Sequence, residues 1–122
     1  MTLVDTSAWI HSLRSDGDSA VSDRVKALLE SGEAAWCPPI QLELWNGARG
    51  AREKRVVTEM STNLPSLEID DSVWSTAYDL ARKSRALGHT VPATDLMIAA
   101  CARRYGVGLE HADAHLTAIQ DL

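Results

Sequence analysis

Short apolar runs alternate with stretches of helical period along this chain. Thr2-Leu3-Val4, Glu33 to Cys37, Leu67-Glu68-Ile69 and Val107-Gly108-Leu109 are bounded by turn formers or helix starts and read as strands. Val21, Val25, Leu28 and Leu29 share one helical face, with Ser31-Gly32 closing that helix. Val56, Val57, Met60 and Leu64 do the same for Ala51 to Asn63, after a break at Gly50. Val73, Ala77, Leu80, Ala81 and Leu87 line a long helix opened by Asp70-Asp71-Ser72 and stopped by Gly88. A chain that switches repeatedly between these periods is expected to be α/β, with a mostly parallel sheet covered by helices on both faces. No internal repeat or linker divides it, so residues 1–122 are expected to form a single domain.

In a parallel sheet, strand ends and the helix starts that follow them gather along one edge, where ligands bind. Asp5 closes the first strand, and Thr6 and Ser7 open a helix running to about Leu13. Asp113 follows the last strand, ahead of a short helix from Ala114 to Gln120 with Leu116 and Ile119 inward. Pro92 marks the stop before another helix, with Thr94 as its expected N-cap and Asp95 at its start. Glu43 belongs to a helix begun by Pro38-Pro39 and shares a face with Ile40, Leu44 and Gly47. A carboxylate among apolar neighbours is rarely buried without a partner or a cation.

Asp5, Glu43, Asp95 and Asp113 are therefore expected to converge. Carboxylates ~4 Å apart repel by about 4 kcal/mol per pair at an effective dielectric of about 20, so protons or cations must neutralise them. Mg²⁺ or Mn²⁺ suits oxygen ligands and keeps water in its remaining positions, and no His or Cys stands with these acids at zinc spacing. Such an ion activates a water and stabilises a phosphoryl group in flight, which points to phosphodiester hydrolysis. Ser7 and Thr94 are placed to orient a ligand, a water or the substrate phosphate, beside a capping role. His115, two residues past Asp113, could serve as a general acid but, like His11, His89 and His111, reads rather as a surface or packing histidine.

The formal charge of -5 argues against broad electrostatic wrapping of nucleic acid, although Arg49, Arg52, Lys54 and Arg55 form one basic group. Cys37 and Cys101 are far apart and read as buried, reduced thiols. No basic segment precedes an apolar run at the N-terminus, and no apolar stretch approaches the ~20 residues of a membrane span, so a cytoplasmic protein is expected. Trp9, Trp45 and Trp74 fit core or subunit contacts. Two other classes stay open on these residues. A receiver-like signalling domain would need a Lys near the end of the chain, and none follows Lys83. A protein-binding module would use the acids structurally.

Leu3-Val4-Asp5-Thr6-Ser7-Ala8-Trp9, the Glu43 helix, Thr94-Asp95-Leu96-Met97-Ile98-Ala99-Ala100 and His111-Ala112-Asp113-Ala114-His115-Leu116 resemble PIN-domain ribonucleases. In order and total length they are similar to the compact VapC toxins of bacterial toxin–antitoxin modules. The resemblance spans nearly the whole chain. It implies a PIN-like three-layer α/β/α sandwich around a sheet of four, possibly five, strands. It implies Mg²⁺ (or Mn²⁺) held by Asp5, Glu43, Asp95 and Asp113, with Ser7 and Thr94 as hydroxyl neighbours. It implies an endoribonuclease that cuts single-stranded or loop RNA, often transfer or ribosomal RNA. It also implies a homodimer held inactive by a VapB-type antitoxin. The sequence departs from the pattern at two places. Leu122 comes soon after the last helix, where such proteins often continue into a further edge strand. Leu116 stands where they often carry Phe, a packing difference.

Overall fold

The computed structural model describes every residue from Met1 to Leu122. Leu3 and Val4 are fully buried, as a strand covered on both faces requires. They belong to β1 (Thr2–Val4), which lies between β2 (Ala34–Ala35) and β3 (Gly108–Glu110) in a parallel sheet of order β2-β1-β3. Leu3 stands opposite Ala35 on one side and Leu109 on the other.

The helices fall close to where the periodicity places them. They are α1 (Thr6–Leu13), α2 (Ser19–Glu30), α3 (Pro38–Gly47), α4 (Ala51–Asn63), α5 (Asp71–Ala86), α6 (Ala93–Tyr105) and α7 (Ala114–Ile119). Asp18 and Asp70 cap α2 and α5 by accepting from the amides of Val21 and Val73. Gly106 ends α6 in the left-handed conformation, at φ 63°, that a residue without Cβ adopts freely. No helix is long and apolar enough to cross a membrane.

The sheet is smaller than the sequence suggests. Leu67-Glu68-Ile69 forms no strand. Trp36 and Ser66 make a single parallel bridge, with the Trp36 amide donating to Pro65 (3.1 Å) and the Leu67 amide to Trp36 (2.8 Å). Three residues beyond Leu67, Asp70 turns the chain into α5, which leaves no length for a ladder. The protein thus has three regular strands and a bridge, rather than the four or five expected.

With no Phe in the chain, Trp9 and Trp36 supply the largest buried volumes, beside Leu3, Ile40, Leu80, Ile98, Leu116 and Ile119. Ala99, Ala100, Cys101 and Ala102 are all buried, and their small side chains let α6 sit close to its neighbours. Cys37 and Cys101 are free, buried thiols. Leu29 and Leu87 are exposed, against expectation. Leu87 is the cap residue of α5, past the last regular turn, and Ser84 is buried on the preceding turn instead.

The α1–α2 turn is tight. A Cβ on Gly17 would collide with the backbone carbonyl of His11, whose ring Nδ1 accepts from the Asp18 amide at 2.9 Å. Backbone on both sides leaves little room to yield. Gly17→Ala is expected to cost about 1–3 kcal/mol in urea denaturation, the usual penalty for forced overpacking. Unchanged stability would show that the turn opens freely.

Candidate functional site

Pairing of β1 with β3 brings the two ends of the chain to one sheet edge. The Asp5 amide donates to the Glu110 carbonyl at 2.9 Å, so the residues that follow each strand leave side by side. Asp5 is buried and caps α1: its Oδ2 accepts from the Ser7 amide (3.0 Å) and the Ser7 hydroxyl (2.6 Å). Ser7 Oγ in turn accepts from the Ala112 amide at 3.0 Å. One hydroxyl therefore links Asp5 to the loop that delivers Asp113.

Glu43 reaches the same edge from α3. Thr6 Oγ1 donates to its Oε1 at 3.0 Å. Burial pushes the Glu43 carboxyl above the usual range; the Thr6 hydroxyl opposes this, and the charges of Asp5 and Asp113 add to it. Asp95 lies in the first turn of α6 and is only 6% exposed. Its carboxyl is pushed up to about 6, first by burial, then by Asp113, Asp5 and Glu43, with His115 opposing. Asp113 caps α7, its Oδ1 accepting from the His115 amide at 2.7 Å.

The four acids expected from the sequence lie near one another, Asp95 feeling the charge of the other three and Glu43 that of Asp5 and Asp113. The closest grouping differs from expectation. Asp95, Asp113 and His115 each offer a ligand atom, all within 4.8 Å of one another. His115 Nδ1 is 3.4 Å from Asp113 Oδ1 and 3.7 Å from Asp95 Oδ2. His115 lies at the surface, as expected, with its side chain about half exposed, but its ring stands beside two of the acids rather than apart from them. The available signal was its place two residues after a capping Asp, at the mouth of the same helix.

Thr94 does not cap α6. Pro92 is the N-cap, without a side-chain bond, because its fixed φ of -56° starts the helix early and draws Thr94 into the first turn. Ser7 lies beside Asp5, with its proton committed to that carboxylate, which makes it a positioning group. Thr6, not singled out from the sequence, holds Glu43.

A divalent cation fits this donor set. Asp95 Oδ2 is buried with no hydrogen-bond partner, a costly arrangement that a bound ion would relieve. Burial first, and the charges of Asp5 and Asp113 in addition, hold the Glu43 carboxyl above its usual range as well.

Comparison with known proteins agrees with the geometry. The PIN domain family matches residues 2–122. The chain is 36% identical over 123 residues to Ribonuclease VapC11 of Mycobacterium tuberculosis, covering 98% of this chain and 91% of the relative. VapBC-1 from nontypeable Haemophilus influenzae superposes with a TM-score of 0.77 at 20% identity, over 99% of this chain and 93% of that one. VapBC-5 of Mycobacterium tuberculosis, a member of the VapBC family of toxin-antitoxin systems, gives a TM-score of 0.70 at 19% identity, over 96% and 88%. At these identities the two structures speak for the fold alone.

Proposed function

Because this chain belongs to the PIN domain family, we propose that it is a metal-dependent endoribonuclease, the toxin of a toxin–antitoxin pair. The observation that carries this reading is the buried, unpartnered Asp95 Oδ2 facing a group of like charges. Family membership also removes the receiver-like alternative and supports the three-layer α/β/α arrangement within one domain.

Asp95 and Asp113 would hold the ion, Mg²⁺ or Mn²⁺, with Asp5 and Glu43 completing its surroundings directly or through water. When bound, such an ion supplies an activated water and neutralises charge on the phosphoryl group. The chain supplies the frame. Ser7 fixes the Asp5 carboxylate, Thr6 fixes Glu43, and the helix cap fixes Asp113. Preset side chains of this kind lower the reorganisation needed during in-line attack on an RNA phosphate. Hydrolysis in this sense leaves a 5′-phosphate and a 3′-hydroxyl.

The partner we propose is a VapB-type antitoxin, by likeness to the VapC relative and the VapBC structures. A basic side chain from such a partner would satisfy the same carboxylates as the ion. We also propose a homodimer. Leu42, Trp45, Trp74 and Tyr78 are exposed, with the rings of Trp74 and Tyr78 stacked at 6.2 Å, so of the three tryptophans weighed from the sequence only Trp9 is core. Two free thiols in the core suit a reducing, cytoplasmic setting.

Metal titration of the purified protein tests the reading. At a hundredfold excess over Kd, an ion that binds only the folded state adds about 2.7 kcal/mol and raises Tm by several degrees. RNA cleavage should appear with Mg²⁺ or Mn²⁺ and disappear with EDTA. Absence of both responses would leave a protein-binding module whose acids are structural.

A further inference from the structure

Unlike His11 and His111, His115 has no structural task for its ring, and unlike His89 it stands beside the acidic group. His111 uses both ring nitrogens: Nδ1 accepts from the Asp113 amide at 3.2 Å and Nε2 pairs with Gln120 at 3.1 Å. His11 Nδ1 accepts from Asp18. The His115 ring makes no hydrogen bond to backbone or hydroxyl, and its Nδ1 faces the two carboxylates already described, with half of the side chain open to solvent.

We propose that His115 is itself a ligand of the divalent ion, which makes the site a mixed carboxylate–imidazole centre that favours Mn²⁺ over Mg²⁺. The inference rests on the metal-site reading above and adds a nitrogen donor to it. In an octahedral site with bonds of about 2.1 Å, neighbouring donor atoms stand about 3 Å apart and opposite ones about 4.2 Å. The separations of 3.4 and 3.7 Å from His115 Nδ1 to Asp113 Oδ1 and Asp95 Oδ2 exceed the neighbouring-donor distance by a few tenths of an ångström, which a small turn of the half-exposed His115 ring would close.

The plainer role, an imidazolium acting as counter-ion, fits less well. At 3.7 Å the ring makes no hydrogen bond to Asp95 Oδ2, so that buried oxygen stays unsatisfied. An ion between the three groups satisfies it. The short cap bond from the His115 amide to Asp113 holds ligand and neighbour in one turn of backbone, so little freedom is lost on binding. Imidazole is a poor donor to Mg²⁺ and a good one to the transition metals, which sets the direction of the preference.

Pulsed EPR of Mn²⁺ bound to the full-length protein reads nitrogen ligation without reference to activity. The wild type is expected to show strong ¹⁴N modulation that changes on ¹⁵N-histidine labelling and is lost in His115→Ala. Parallel titrations should show Mn²⁺ affinity falling at least about tenfold in His115→Ala and His115→Gln, the scale seen when the surroundings of a metal are disturbed. Mg²⁺ affinity should change far less. Mn²⁺ bound to the wild type without histidine modulation, or equal losses for both ions, would overturn the inference while the carboxylate site stands. No Mn²⁺ binding by the wild type would overturn the metal site itself, and this inference with it.

Discussion

Asp95→Asn is expected to abolish RNA cleavage and, in the absence of divalent ions, to make the protein more stable. Both effects come from one carboxyl. Its folded value of about 6 lies above the ordinary 3.8, because burial and three neighbouring acids disfavour the charge. A folded value above the unfolded one means that the native state holds the proton more tightly. That contribution is fully present below the unfolded value, near 3.8, and is lost as pH rises through about 6. At neutral pH the ionised side chain is therefore a burden on the fold, on the order of 3 kcal/mol. Asn keeps the shape and removes the charge. With EDTA present, urea denaturation should show the variant more stable than wild type by about 1–3 kcal/mol at about pH 7.5, with the difference shrinking towards about pH 4. Cleavage should drop by at least about a hundredfold, since a group that would hold the ion is gone. An active variant, or one with the same stability as wild type at both pH values, would contradict this account of Asp95.

Leu116→Ala is expected to be the most damaging change in the core for function. Leu116 is fully buried, and with Ile119 it anchors α7, a helix of only six residues. That helix is too short to persist without tertiary packing. Its first turn carries the Asp113 cap and His115. Removing the anchor should cost about 2–5 kcal/mol, a large share of the ~5–15 kcal/mol that holds a typical domain together. The Mn²⁺-dependent rise in Tm should weaken beyond what the loss of fold stability explains, because two ion-facing groups become mobile together. A Leu116→Ala protein with full stability would show that α7 repacks without its anchor.

The sequence carried more of this protein than its short strands suggest. Asp5, Asp95 and Asp113 were legible because each stands at an element boundary, marked by Pro, Gly and capping residues, and Glu43, inside α3, because a carboxylate on an apolar face stands out. The bounds of α1 and α4 could be read directly from their caps and breaks. What escaped were features set by contacts between elements. Leu67-Glu68-Ile69 has the composition of a strand, but Asp70 leaves it no length to pair. Thr94 has the chemistry of a cap, but Pro92 starts the helix before it. His115 shows its closeness to Asp95 only once α6 and α7 have docked. Polar partnerships across distant segments leave no trace in local periodicity.

The bond between the Ala112 amide and Ser7 spans 105 positions of sequence, and the central strand pairs with the last one as well as with its near neighbour. During synthesis, the opening residues must therefore wait for the closing ones. Until the segment carrying Asp113 has docked against the first strand, the acidic pocket is not assembled, so charge crowding at the site arises only with the latest long-range contacts to form.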